Sequence, residues 1–320
     1  MEDERKAAES SREQKQETKG MLMTEGVIWK QILAFSLPLL VGNLFQQLYN
    51  TVDSIVVGNY VSSQALAAVG TSNSLINLII GMFLGISVGA GVIISQYYGA
   101  KNHRKLSWAV HTCIALSIIG GLGMIVLGVW LSPIILVWMN TPADVLADST
   151  TYLRIYFCGS LFNIVYNMGS GILRAVGDSK RPLYYLIASS LTNVVLDLLF
   201  VLVFHWDVAG VAIATIISQG VSAVLVMWNL MRTKEPYRVE IKNIRIDKRM
   251  MKRVLMVGIP SGIQQSIIHL SNVIVQPNIN VDGPAAMAGL GPYSKVAGLN
   301  ELPPEANGTS GTQHHGQRTG

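Results

Sequence analysis

Charge is scarce in this chain. Only 13% of its 320 residues are Asp, Glu, Lys or Arg, roughly half the share of a soluble domain, while 50% are apolar. With a mean hydropathy of +0.39, the composition excludes a water-soluble globule and requires an integral membrane protein. Cysteine is nearly absent. Cys113 and Cys158 both lie in apolar stretches, so no disulfide framework is implied. Among the histidines, His103, His111, His205 and His269 are scattered without metal-ligand spacing, and His314-His315 lie in a polar tail. Residues 1–20 are too polar for a signal peptide and read as a mobile cytoplasmic extension, with Met21 or Met23 as alternative starts.

What is present sorts into seven apolar stretches, near 30–57, 66–97, 106–131, 150–175, 182–205, 208–231 and 252–281, each long enough to cross a bilayer. The basic residues test that division. Of 24 Lys and Arg, 21 fall before the first stretch or on alternate connections: 2–3 (Lys101, Arg104, Lys105), 4–5 (Arg174, Lys180, Arg181) and 6–7 (Arg232 to Arg253). The positive-inside rule then predicts a cytoplasmic N-terminus, with 57–66, 131–150 and 205–208 outside, in the cell inner (plasma) membrane. The +5 net charge is a topology signal, not a nucleic-acid signal. All six Trp (29, 108, 130, 138, 206, 228) fall near stretch ends or in 131–150, as interfacial belts require.

The chain repeats itself weakly. The first stretch runs from Phe35-Ser-Leu-Pro38 into a polar stripe of Asn43, Gln46, Gln47 and Asn50, and the seventh runs from Val257-Gly-Ile-Pro260 into Gln264, Gln265 and Asn272. Ala65-Leu-Ala-Ala-Val-Gly70 is echoed by Ala286-Met-Ala-Gly-Leu-Gly291. With six stretches between them the copies share one orientation, the mark of a parallel repeat. The reading divides the chain into an extension (1–29), a six-helix lobe (30–231), a cytoplasmic inter-lobe loop (232–251), the first helix of a second lobe with its following segment (252–298), and a polar, Gly-rich tail (299–320) whose composition predicts disorder.

Of nineteen acids, only Asp53 and Asp197 lie inside strongly apolar stretches. An ionisable group there costs roughly 3 kcal/mol on insertion scales, so each is a functional hypothesis, with an ion or proton site foremost. Asn193 and Asp197, four apart, share one helix face. Counted from the short turn at 205–207, Asp197 and Thr215 both lie eight residues in, roughly 12 Å deep, and Asp53 is about five residues from its own outer end. Two carboxylates, an amide oxygen and a hydroxyl are hard oxygen ligands suited to a small cation, Na+ for instance, or to protons. The alternative is that Asp197 only hydrogen-bonds a neighbouring helix. Pro38 is either a hinge for Asp53 or a static kink. Gln46, Asn50, Asn163 and Asn167 are candidates to line a substrate cavity. Gly81, Gly85 and Gly89, like Gly169 and Gly171, read as helix-packing positions. No cofactor beyond the ion is expected.

Four segments carry a resemblance: the first stretch through Asp53, Ser95-Gln-Tyr-Tyr-Gly-Ala-Lys101, Gly171-Ile-Leu-Arg-Ala-Val-Gly-Asp-Ser-Lys-Arg-Pro182, and Ala286-Met-Ala-Gly-Leu-Gly-Pro-Tyr-Ser294. Across about 25–298 the chain resembles the multidrug and toxic compound extrusion (MATE) family. The resemblance implies an all-α membrane fold of twelve helices in two six-helix lobes. It also implies a non-enzymatic antiporter that exports organic cations and drugs in exchange for sodium ions or protons. It assigns a cation site to Asp53, Asn193, Asp197 and Thr215, adds Tyr152 from helix four, and matches Pro38 to the family's bent first helix.

Some features depart from that pattern. No acid lies within the seventh stretch, Asp282 being beyond it, which favours the branch that couples in the first lobe. Pro277, Pro284 and Pro292 are unusual, and helices eight to twelve do not follow. The expectation is a copy cut short after the first helix of the second lobe, unable to transport alone unless two copies assemble. Two alternatives stay open, a lipid or oligosaccharide flippase of the same superfamily and an inert fragment. The near absence of Lys and Arg inside the stretches argues against the flippase. An intramembrane aspartyl protease would need a Gly-x-Gly-Asp motif, which neither Asp197 nor Ala175-Val-Gly-Asp178 supplies.

Overall fold

The computed structural model describes residues 28–281, Thr312 and His315–Arg318. All seven apolar stretches are helical: α1 (Ile28–Tyr60), α2 (Ser63–Gly99), α3 (His103–Trp138), α4 (Ala143–Cys158) with α5 (Ser160–Ala175), α6 (Lys180–Leu198), α7 (Asp207–Arg232) and α8 (Lys248–Val281). No strand occurs among the described residues. Four helical runs are each long and apolar enough to cross a bilayer: Gln64–Gly99, His103–Trp138, Lys180–Val203 and Asp207–Arg232.

Several boundaries differ from expectation. The connection expected over 57–66 shrinks to two residues, because the Ser62 side chain accepts the Ala65 amide at 3.0 Å and starts α2 at once. The connection expected over 131–150 shrinks to 139–142. There α3 continues through Pro133 to Trp138, and Asn140 turns the chain with φ 52°. The fourth stretch begins earlier than expected, at Ala143, and breaks at Gly159. A Cβ on Gly159 would overlap the Ile216 side chain of α7, so only glycine lets the break sit against that helix. The fifth stretch ends in a single π-helical turn, Leu199–Val203. Its outer hairpin is pinned by the Trp206 amide donating to the Phe200 carbonyl at 3.0 Å and by stacked Phe200 and Trp206 rings, 5.1 Å apart.

Burial is inverted relative to a soluble protein. The helices expose Leu122, Val126, Leu127 and Val137 of α3 and Leu191 and Val195 of α6, while Asp53, Asn193, Asp197, Thr71, Ser72 and Thr215 are buried. In lipid the tails are as apolar as leucine, so the helices associate by close packing and internal polar contacts, not by hydrophobic burial. The α4–α5 unit is central, packing against α2, α3 and α7, while α1 lies chiefly on α6 and α8 lies along α2. Two apolar cores result. One, around Ile94, Leu106, Ile172 and Leu230, lies at the end where the basic connections gather. The other, around Val57, Val69, Leu153 and Phe157, lies at the opposite end.

The packing role expected of the α2 glycines holds for Gly85 and Gly89. A Cβ on Gly85 would overlap the backbone N and Cα of Gly262, and one on Gly89 would stand 2.6 Å from the Cα of Gly258. Backbone thus touches backbone along the α2–α8 crossing. Gly169 and Gly171 pack likewise, against Val226 and Ser87. The loop expected over 232–251 is shorter, since α8 starts at Lys248, and it is a folded strap. His111 of α3 is buried and accepts the Glu240 amide on Nε2 at 3.0 Å, and the Thr112 hydroxyl accepts the Asp247 amide at 3.1 Å. Within the tail expected over 299–320, only Thr312 and His315–Arg318 are among the described residues. His315–Arg318 are helical, and buried Gln317 donates its amide to the Ala175 carbonyl at 3.1 Å, filling one open acceptor at the α5 terminus. The rest of that tail, the extension up to residue 27, Asp282 and the Ala286–Gly291 echo lie outside the described residues.

Candidate functional site

Four helices bring the buried polar residues together. Asp53 comes from α1, Tyr152 from α4, Asn193 and Asp197 from α6, and Thr215 from α7. Each is at most 7% exposed, and Asp197 is fully buried. The carboxyls of Asp53 and Asp197 are electrostatic neighbours. The Tyr152 side chain is an electrostatic neighbour of both. The sequence placed these two acids at similar depth; the structure places them in one pair.

The oxygens of Asp197 meet no hydrogen-bond partner among the described residues, nor do Oδ1 and Nδ2 of buried Asn193. Thr215 donates its hydroxyl proton to the Val211 carbonyl at 2.9 Å, which turns its oxygen lone pairs away from that bond and leaves them able to accept or ligate. The site therefore gathers several oxygen acceptors in a buried setting. Two adjacent carboxylates repel, and in a buried site they are stable only with a proton or a cation between them. The donor set of carboxylate, carboxylate, amide oxygen and hydroxyl is all oxygen, the chemistry that suits a hard cation.

Three further residues belong to the cluster. Tyr49 is an electrostatic neighbour of Asp53 and Tyr156, and Gln46 hydrogen-bonds it. The Tyr156 ring stacks on Tyr152 at 6.3 Å, and its hydroxyl accepts the Gln219 amide at 3.3 Å. Each lies one helical turn from a residue the sequence did single out: Tyr49 from Asp53, Tyr156 from Tyr152, Gln219 from Thr215. That spacing was the available signal.

The candidate cavity residues divide differently. Gln46 is exposed, and Asn50, Asn163 and Asn167 are half-buried. Asn167 donates to both the Asn163 side chain and its carbonyl at 2.9 Å, and its own carbonyl accepts from Ser87 at 2.8 Å, tying α5 to α2. Tyr49 is also an electrostatic neighbour of Tyr166, so the inner face of α1 looks toward α5. Pro38 lies inside α1, which passes through it as one helix.

Comparison with known proteins identifies the family. The MatE family signature matches residues 38–199. Over 299 residues the chain is 30% identical to the probable multidrug resistance protein YpnP of Bacillus subtilis (strain 168), covering 93% of this chain and 66% of that protein. It is 31% identical over 283 residues to YoeA, another probable multidrug resistance protein of the same organism, covering 86% of this chain and 61% of that protein. The chain thus spans a little under two thirds of the length of these curated relatives. Among solved structures, an outward-facing multidrug resistance MATE transporter of the MOP superfamily aligns with a TM-score of 0.83 at 26% identity, over 94% of this chain and 68% of its own. With its apolar helices, polar interior and this likeness, the chain is a multi-pass membrane protein and belongs to the MatE family of multidrug transporters.

Proposed function

We propose that this chain carries the ion-coupling half of a cation-driven multidrug antiporter, with Asp53 and Asp197 as the exchange site. The observation that carries the reading is the buried carboxyl pair, set among Asn193, Thr215 and Tyr152. A pair that must hold either Na+ or H+ is a switch by construction. Occupied, α1 and α6 are drawn together; empty, the like charges push them apart. Because Asp53 sits on α1 and Asp197 on α6, ion binding acts on the α1–α6 packing. Pro38, which removes a backbone hydrogen bond from α1, is the place where that helix bends. The amides of Gln46, Asn50, Asn163 and Asn167 offer a polar, uncharged surface for an organic cation on the same face. The basic connections support a cytoplasmic N-terminus and the cell membrane as the site of action.

The test is displacement. The protein in lipid nanodiscs is loaded with a fluorescent organic cation, and Na+ is added or the pH lowered. Release by one of these ions in the unaltered chain, and none in Asp53→Asn or Asp197→Asn, is expected. Equal release in all three would overturn the assignment.

A further inference from the structure

A second polar site lies at the basic end of the bundle, far from the carboxyl pair along the chain. A cavity of about 150 Å³ opens between the N-terminal part of α3 and the 233–247 strap, lined by Ser107, Trp108, His111, Thr112, Asn243, Arg245 and Asp247. We propose that this cavity holds the phosphate of an anionic lipid headgroup.

The walls are built and fixed. His111 donates from Nδ1 to the Ser107 carbonyl at 2.7 Å and accepts the Glu240 amide on Nε2, so the ring is satisfied as a neutral imidazole. Thr112 holds the strap through the Asp247 amide, and the Arg245 carbonyl accepts from its hydroxyl at 3.5 Å. These bonds hold Arg245 at the rim. Its guanidinium makes no ion pair among the described residues. The neighbouring acids are otherwise engaged. Asp247 accepts the Arg249 and Met250 amides at 3.0 and 2.9 Å and caps α8, and Glu240 accepts from the Asn243 side chain at 2.7 Å. An uncompensated guanidinium beside a polar hollow matches a phosphate, whose oxygens its donor fork can grip in pairs.

The surroundings favour a lipid over a soluble phosphate. Trp108 lies under the Arg104 guanidinium, 4.8 Å from ring centroid to cation, in the arrangement of an interfacial anchor. Lys101 and Lys105 add charge on the same helix end. On the strap itself Ile241 is 71% exposed and Ile246 is 39% exposed, so apolar side chains flank Arg245 where acyl chains begin. A basic pocket with apolar shoulders at the bilayer surface is the geometry that headgroups occupy. The inference needs only the membrane embedding, not the coupling site. Its consequence is that headgroup occupancy braces the strap that joins α7 to α8.

The experiment is native mass spectrometry of the intact chain released from micelles containing phosphatidylglycerol, phosphatidylcholine or inorganic phosphate. One phosphatidylglycerol retained per chain, about tenfold more tightly than phosphatidylcholine, is expected. Arg245→Ala should lower that retention at least about fivefold, and Lys242→Ala, an exposed cation on the same strap outside the cavity, should leave it unchanged. Equal loss in both variants would mean diffuse charge attraction and overturn the site. So would equal retention of both lipids, or displacement of phosphatidylglycerol by inorganic phosphate, which would make a soluble phosphate the ligand. Arg245 is exposed, so its variant keeps the fold, and a melting curve verifies this.

Discussion

Asp197→Asn separates the two charges of the pair while keeping the shape of the side chain. In a medium without a coupling ion, the unaltered protein holds two buried carboxyls against each other, whereas the variant holds one carboxyl against an amide that can donate to it. The variant should then melt at a higher temperature. Adding the coupling ion should reverse the order. At about 4 Å and an effective dielectric constant of about 20, one carboxylate–cation attraction is worth about 4 kcal/mol, so losing it weakens cation binding by roughly a thousandfold. At a hundredfold excess over its dissociation constant a bound ion stabilises the fold by about 2.7 kcal/mol, an upward shift of about 4 °C for a chain of 320 residues. The six tryptophans report unfolding by their own fluorescence. Melts at constant ionic strength, in sodium against choline and at neutral against acid pH, decide which ion is coupled. The unaltered protein should shift with one of them and the variant with neither. If both proteins shift equally, or the variant is the less stable of the two in every medium, the carboxyl pair is not an exchange site and the reasoning fails.

Thr215→Val keeps the volume and removes the hydroxyl, and should lower ion affinity about tenfold with little change in the ion-free melting temperature, while Thr215→Ser restores the affinity. The same melts read both. Gly85→Val sets a branched side chain into the Gly262 backbone and must part α2 from α8. The expected cost exceeds the about 1–3 kcal/mol of ordinary overpacking, read as loss of a cysteine cross-link engineered across that crossing. In the turn between α5 and α6, burial pushes the Asp178 carboxyl up, against the pull of Arg181, which stands 3.3 Å away and donates its amide at 3.1 Å. A raised acid binds its proton more tightly folded than unfolded, so stability falls as pH rises from the ordinary 3.8 through the folded value. Melting curves between about pH 4 and about pH 7 should show that slope, and Asp178→Asn should flatten it.

The sequence announced the helices because apolar length and alternating basic connections are global signals that survive local error. It misplaced their ends because the deciding features are local or lie across the fold. Ser62 needs only its own side chain to start α2, and no run of hydropathy registers that. The break at Gly159 exists because Ile216, 57 residues on, fills the space where a Cβ would sit. The strap reads as a polar loop, yet two buried side chains of α3, His111 and Thr112, supply the acceptors that its Glu240 and Asp247 amides require. In the tail, the open carbonyl at Ala175 does the same for Gln317. In the strap and the tail a polar group finds its partner far away in sequence, and composition carries no record of such pairings.

The site was legible to a different depth. Acids inside apolar runs are costly enough to stand out singly, so Asp53 and Asp197 were readable, as were Asn193 and Thr215 by register. Neutral tyrosine and glutamine carry no such cost and blend into any helix. The structure shows that every helix of the site contributes two residues four apart: Tyr49 and Asp53, Tyr152 and Tyr156, Asn193 and Asp197, Thr215 and Gln219. A helix that offers one polar group to a dry interior can offer a second from the same face only one turn away, three or four residues on. The second is needed because the first must itself be oriented, as Gln219 orients the Tyr156 hydroxyl at 3.3 Å. Stepping four residues from each buried acid, amide or hydroxyl would have recovered Tyr49, Tyr156 and Gln219 from the sequence. Depth and family resemblance grouped Asp53 with Asp197 in one candidate site, but how closely the two approach depends on how α1 lies on α6, and nothing in either helix alone encodes that.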